Sequence, residues 1–268
     1  MKARTALTIA GSDSGGGAGV LADVRTFDAH GVWGTCAITA VTAQNTVGVQ
    51  AFDAVAPALV RQQIDSVVGD IGVDAAKTGM LANAGIVEVV ASMAARLPNL
   101  VVDPVLLSKH GDALLDDGTV QKLRDELLPH ATVLTPNLPE AARLLGTGAI
   151  SSRDEMVDAA RALAELGPRF VLLKGGHLGD PEASPDLVVE AGTGQIRWLE
   201  GHRIAGRHTH GTGCVLSAAI TAELARGMAP ADACLAAKRF VERAIAAGRP
   251  LGRGIGPVDP GWSRPQEL

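Results

Sequence analysis

Four short apolar runs of this chain end alike. Ile9-Ala10 opens onto Gly11-Ser12-Asp13-Ser14-Gly15-Gly16-Gly17-Ala18-Gly19, and Val101-Val102 onto Asp103-Pro104. Val133-Leu134 leads to Thr135-Pro136-Asn137, and Leu172-Leu173 to Lys174-Gly175-Gly176-His177. The first three continue into helical patterns. Strands apolar on both faces and joined by helices imply a mostly parallel sheet covered on both sides, with right-handed crossovers. The predicted class is therefore α/β, a three-layer α/β/α arrangement. In such folds ligands gather at the carboxyl ends of the strands, where helix N-termini offer N–H groups.

The pattern along the chain fits this class. Residues 5–10 read as the first strand, and Val20, Val24 and Phe27 mark one face of the next helix. Strands are predicted at 35–43, 49–55, 75–77, 100–102, 132–134 and 170–173. Helices are predicted at 57–69, along the stripe Val87, Val90, Ala94 and Leu97, and near 118–128, 138–145 and 153–166. From Leu187 the pattern changes to short antiparallel strands at 186–190, 195–199 and 202–204. Two alanine-rich helices follow at 213–226 and 230–246. No repeat or linker divides the chain, so 1–257 reads as one domain and 258–268 as a tail, extended or disordered.

Composition narrows the partners. The 24 lysines and arginines against 29 acids give a net charge of −5, which offers no basic surplus for nucleic acid. No apolar run approaches a membrane span, and the N-terminal one stops at Gly11-Ser12-Asp13, short for a signal peptide. Cys36, Cys214 and Cys234 are odd in number and lack a Cys-x-x-Cys pair. That argues against a disulfide framework or a zinc site and predicts a cytoplasmic protein.

Several strand-end residues bear two readings. Asp103 is either a turn aspartate before a proline or a carboxylate for Mg²⁺. Asn137 and Glu140, spaced Asn-x-x-Glu around Pro139, form a capping box or orient a metal beside a nucleotide. A second glycine loop, 206–214, immediately precedes a helix, so its N–H groups form an anion nest. Cys214 sits at that helix start, where the dipole favours a thiolate; the alternative is a small buried apolar residue. Lys238 lies at the edge of the apolar arc of the last helix and either reaches water or meets an anion. Asp23, at the margin of the first helix's apolar face, complements the dipole or points into a cleft. The histidines show no metal-ligand spacing. There is no P-loop and no His-Arg-Asp kinase set. Gly17-Ala18-Gly19-Val20-Leu21-Ala22 matches Gly-x-Gly-x-x-Ala but lacks the acid expected about 20 residues on, which leaves a nicotinamide-dependent dehydrogenase as a weaker alternative.

In order and spacing, "LTIAGSDSGGGAGVLAD", "AVTAQNT", "KTGML", "VVDPV", "TPNLPEA", "VLLKGGH" and "HGTGC" resemble the hydroxymethylpyrimidine/phosphomethylpyrimidine kinases of thiamine synthesis. These belong to the ribokinase superfamily. The resemblance runs from about residue 5 to 257. It implies a ribokinase-like fold and an ATP- and Mg²⁺-dependent kinase that phosphorylates 4-amino-5-hydroxymethyl-2-methylpyrimidine and then its monophosphate. It implies that Gly11, Ala18, Asp23, Gln44, Met80 and Val105 line the pyrimidine pocket, with hydrogen bonds from Asp23 and Gln44. It places Asp103 and Glu140 beside Mg²⁺, and Asn137, Lys174 and Thr209 on the ATP side. Gly211, Thr212, Gly213 and Cys214 would form the anion hole, Lys238 would bind phosphate, and the protein would be a homodimer. Sugar kinases of the superfamily carry Gly-x-Gly-Asp where this chain has Gly-Thr-Gly-Cys, so Cys214 is either the base or a residue that shapes the hole. Alternatives are a pyridoxal/pyridoxine kinase of the same fold and a non-catalytic pyrimidine sensor. Lys109-His110-Gly111-Asp112 is a candidate flap.

Overall fold

The computed structural model describes residues 3–106, 114–176, 178–179 and 182–262. The candidate flap and residues 263–268 lie outside them. In chain order the elements are β1 (Thr5–Ala10), α1 (Gly19–Ala29), β2 (Trp33–Ile38), β3 (Ala40–Asn45), β4 (Gly48–Ala54), α2 (Pro57–Ser66), β5 (Ala75–Thr78) and α3 (Ala84–Met93). There follow β6 (Val101–Val102), α4 (Asp117–Lys122), β7 (Val133–Leu134), α5 (Leu138–Leu145), α6 (Arg153–Ala164) and β8 (Phe170–Lys174). The last are β9 (Asp186–Glu190), β10 (Ile196–Leu199), α7 (Thr212–Ala225) and α8 (Pro230–Ala246).

Eight strands form one sheet in the order β10-β9-β8-β7-β6-β5-β1-β2. It is parallel from β2 through β8 and antiparallel at β9 and β10. Successive side chains of each strand enter opposite cores, which is why the strands read as unbroken apolar runs. Leu7, Val102, Leu134 and Val171 pack with Ile64, Ile86, Leu144 and Leu163 of α2, α3, α5 and α6. Ala6, Val101, Val133 and Leu172 pack on the other face with Phe27 of α1 and with α7 and α8. Helix α7 is buried at every position from Val215 to Ala225, as its lack of a polar face requires.

The chain runs from β1 to β2 on one side, then returns to place β5 on the other side of β1. The strand order therefore reverses between β1 and β5, the crevice where such sheets bind ligands.

Three features differ from expectation. The predicted strand 35–43 breaks at Thr39, whose N–H bonds Ala10 O and whose hydroxyl bonds Met80 O. These bonds turn the chain out of the main sheet, and β3 pairs with β4 in a separate antiparallel hairpin. Residues 202–204 form no strand, only a bridge between Ala183 and His202. The start of the tail is docked: the Val258 N–H bonds His210 O, Arg249 pairs with Asp259, and the Trp262 ring stands 6.1 Å from Phe240. Among the described residues no helix is long and apolar enough to cross a membrane.

Candidate active site

The opening glycine loop already contains its anion. Asp13 accepts from the N–H groups of Gly15 (2.8 Å), Gly17 (3.1 Å) and Ala18 (2.8 Å). Burial pushes its carboxyl up, but His210 and the amides of Gly15 and Ala18 outweigh that and hold it below the usual aspartate value. An aspartate that satisfies the loop's donors leaves them closed to a phosphate. The loop is instead shaped for close approach. Gly19 has φ +56°, and a Cβ there would fall 2.3 Å from Gly11 O. A Cβ on Gly11 would meet Met80 Cε at 2.7 Å and Ala40 O at 3.7 Å. Gly11 and Met80 thus share the crevice between β1 and β5, at the end of each strand.

The second glycine loop packs onto the first. Gly211 caps α7 with φ +83°, and a Cβ there would lie 1.8 Å from Gly17 O. Only glycine meets both conditions. Beside the first turn of α7 stand Lys174 and Asp103: a Cβ on Gly213 would be 3.5 Å from Lys174 Nζ and 3.8 Å from Asp103 Oδ2. Parallel strands β6 and β8 deliver these two side chains from their carboxyl ends. Asp103 accepts from Ser217 (3.1 Å) and Thr135 (3.3 Å), and Lys174 Nζ lies 3.4 Å from Asp103 Oδ1 and 4.0 Å from Glu140 Oε2. Asn137 and Glu140 form a full capping box at the start of α5, so the structural reading of that spacing holds, and it fixes where Glu140 points. Thr209 is half-buried in the loop, its carbonyl accepting from the Thr212 hydroxyl at 2.8 Å. Val105 follows Asp103, bonded to its carbonyl.

Lys174 is one cation against the two acids Asp103 and Glu140. Burial raises Glu140 to about 7; Lys174 opposes the rise and Asp103 adds to it. Among the described residues no three His, Cys, Asp or Glu side chains converge as a metal cage. A pair of oxygen donors with surplus negative charge still fits Mg²⁺, which takes one or two carboxylates and completes its shell with waters and phosphate oxygens.

Two expected site residues already hold protein partners. Asp23 is fully buried, with Lys77 Nζ 2.9 Å from Oδ1 and the Thr8 hydroxyl 2.6 Å from Oδ2. These bonds tie it to β5 and β1, so its first partner is a buried lysine, and it is not the unpaired acceptor expected for the pyrimidine. Lys238 is also buried, and its Nζ bonds Asp186 Oδ2 and Ser184 O, both at 2.7 Å. Asp186 in turn accepts from the Gly175 N–H. Lys238 thus braces the segment after Lys174 and pairs its charge with Asp186.

A thiolate at Cys214 is disfavoured. Burial pushes its thiol up to about 11; Lys77 opposes this, while Asp23 and Asp103 add to it. Burial of the thiol is the dominant cause, and the two acids add to it. Sequence reasoning also missed Lys77, Asp13 and His210. A lysine inside the buried strand Ala-Ala-Lys-Thr was the available signal, since such a lysine needs a buried partner.

The phosphomethylpyrimidine kinase family profile matches residues 13–259. The chain belongs to that family. A hydroxymethylpyrimidine/phosphomethylpyrimidine kinase from Streptomyces coelicolor is 50% identical over 259 residues, spanning 96% of this chain and 94% of the relative. Among solved structures, an ADP complex of Bacillus subtilis pyridoxal kinase superposes with a TM-score of 0.88 at 38% identity, covering 97% of this chain and 98% of that one. A phosphomethylpyrimidine kinase from Clostridium difficile gives 0.79 at 38% identity, covering 90% and 99%. The ribokinase-like fold is thereby shared, and the dehydrogenase alternative falls.

Proposed function

We propose that this kinase transfers the γ-phosphoryl group of ATP to the hydroxymethyl oxygen of 4-amino-5-hydroxymethyl-2-methylpyrimidine, and then a second phosphoryl group to the monophosphate, in thiamine biosynthesis. The carrying observation is the division between the two glycine loops. One is satisfied by its own Asp13; the other opens α7 beside Lys174, where the N–H groups of Gly213 and Cys214 point out of the helix start. ATP use is supported by the ADP complex of the related pyridoxal kinase.

In this reading Gly11, Ala18, Gln44, Met80 and Val105 bound the pyrimidine, with Met80 packed where a Cβ on Gly11 would fall. Asn137, Lys174, Thr209, Gly211 and Thr212 lie on the nucleotide side. Asp103 and Glu140 would hold Mg²⁺, whose chemistry there is to neutralise phosphate charge. The hydroxymethyl oxygen attacks the γ-phosphorus in line as the bond to the β–γ bridging oxygen breaks, and ADP leaves. The N–H groups of Gly213 and Cys214 and the Lys174 ammonium stabilise charge on the transferred group. A loose transition state asks little of a base, so a neutral Cys214 shapes the hole and the hydroxyl proton leaves late, to water. Positioning supplies most of the rate.

Residues 1–257 act as one kinase domain. The β3–β4 hairpin exposes Val41, Val49 and Phe52, which supports a homodimer, and three free cysteines suit the cytoplasm. A pyridoxal kinase is the second reading, favoured by the superposition on the Bacillus subtilis enzyme. The two are separated by coupled ADP release under Mg-ATP, with the pyrimidine and pyridoxal side by side. The proposal expects kcat/KM at least about tenfold higher for the pyrimidine; a higher value for pyridoxal would overturn it.

A further inference from the structure

His210 belongs to the nucleotide loop, yet its side chain faces away from the phosphates proposed there. Its Nε2 lies 2.8 Å from Asp13 Oδ2 and 3.4 Å from Gln44 Nε2. A Cβ on Gly17 would stand 2.6 Å from its Cδ2, so the ring also packs on the opening loop. Its backbone is held from the other side: the N–H donates to Gly256 O at 3.1 Å and the carbonyl accepts from Val258 N–H at 3.0 Å. One residue therefore touches the opening loop, the β3–β4 hairpin and the docked tail, one position before the helix-capping Gly211.

The hydrogen count at Nε2 decides what these contacts are. Asp13 is a carboxylate that already accepts three backbone amides, so it can only accept from His210. Nε2 carries at most one hydrogen, and that hydrogen goes to Asp13. Nothing remains at Nε2 to accept from the Gln44 amide nitrogen, and two nitrogens at 3.4 Å with no free lone pair between them form no bond. The backbone of Gln44 is pinned by Ser14, whose hydroxyl oxygen accepts from its N–H at 2.8 Å and lies 2.7 Å from its carbonyl. The Gln44 amide is thus held in place at its root. His210 limits how it turns, and both N–H donors stay available for a ligand.

We propose that His210, pinned by Asp13, is the positioning residue that couples the nucleotide loop to the Gln44 amide, so that nucleotide and pyrimidine each tighten the binding of the other. This rests on the assignment of Gln44 to the pyrimidine pocket above. Phosphates on the amides of 211–214 order the loop that carries His210; the ring then fixes Gln44 and the Asp13 loop before the pyrimidine arrives. Linkage makes the effect reciprocal.

The test is calorimetric titration of 4-amino-5-hydroxymethyl-2-methylpyrimidine into the full chain, with and without saturating Mg-AMP-PCP. It is run on wild type, His210→Phe and His210→Gln. Phenylalanine keeps the ring against Gly17 and removes the donor; glutamine keeps an N–H for Asp13. Wild type is expected to bind the pyrimidine about tenfold more tightly with the nucleotide, within the usual span of coupling factors. His210→Phe is expected to lose that factor to under about twofold, and His210→Gln to keep most of it. If thermal melts show that His210→Phe does not fold, Asp13→Asn is titrated instead, with the same loss expected. Full coupling in the variant that lacks the donor, or none in wild type, overturns the inference. A wild type that binds AMP-PCP but no pyrimidine would overturn the pocket assignment itself, and with it this proposal.

Discussion

Replacing Lys77 by methionine isolates the most deeply buried charge pair of the site. Both partners are fully buried, and Nζ sits 2.9 Å from Asp23 Oδ1. Burial pulls the Lys77 ammonium down, but Asp23, Cys214 and Asp103 more than offset it and hold its pKa above the ordinary lysine value. Asp23 is held above the usual carboxylate range by the same burial, against the pull of Lys77. Lys77→Met leaves Asp23 with the Thr8 hydroxyl as its remaining partner. Breaking one side of a buried pair costs about 3–5 kcal/mol. At roughly 2–4 °C per kcal/mol for a domain near this size, Tm should fall by about 6–20 °C. Asp23→Asn added to Lys77→Met removes the stranded charge and keeps the Thr8 bond, so the double variant should recover more than half of the loss. The pH dependence has a definite sign. Without Lys77 the folded-state pKa of Asp23 rises further, so the folded form binds more protons than the unfolded one. The defect should therefore be smallest near pH 4 and grow as pH rises. Thermal melts of wild type, single and double variants at several pH values are the assay. A single variant within 1 °C of wild type, or a double variant worse than the single, would refute the ion-pair account.

Three further predictions concern Cys214, Lys238 and Glu140. Cys214→Ser should keep kcat within about tenfold of wild type, because the thiol is neutral; a loss of 10³ or more, the range of a general base, would restore the base role. Lys238→Met should lower Tm by several degrees by stranding Asp186, with the KM for ATP changed less than about threefold; the opposite pattern would return Lys238 to the phosphates. Glu140, raised from 4.5 to about 7, contributes stability that is fully present below about pH 4.5 and is lost as pH rises through about 7. Mg²⁺ requires its ionised form, so Mg-ADP should raise Tm more at pH 8 than at pH 6, and Glu140→Gln should flatten that difference; an equal rise at both values would exclude Glu140 from the metal.

The fold was legible in the sequence where burial is two-sided. Ile9, Val101-Val102, Val133-Leu134 and Leu172-Leu173 read as strands because both faces of the sheet are covered, and α5 and α8 begin with prolines that mark their first turns. The break at Thr39 was not legible, since it depends on hydrogen bonds to Ala10 and Met80 that only the folded chain brings together. The same limit governed the site. Motif order named Asp103, Glu140, Lys174 and the loop 211–214, which the structure assembles around one end of α7. It could not show that Asp23 and Lys238 had already met Lys77 and Asp186, because an ion pair across 54 or 52 residues leaves no local trace.

The division of labour between the two glycine loops is tested most directly by a crystal structure of this kinase with Mg-AMP-PCP and 4-amino-5-hydroxymethyl-2-methylpyrimidine. The account predicts phosphate oxygens within about 3 Å of the N–H groups of 211–214 and of Lys174, the ring against Met80 and Gln44, and Asp13 still bonded to Gly15 and Ala18. Phosphates seated in the opening loop, with Asp13 displaced, would contradict it.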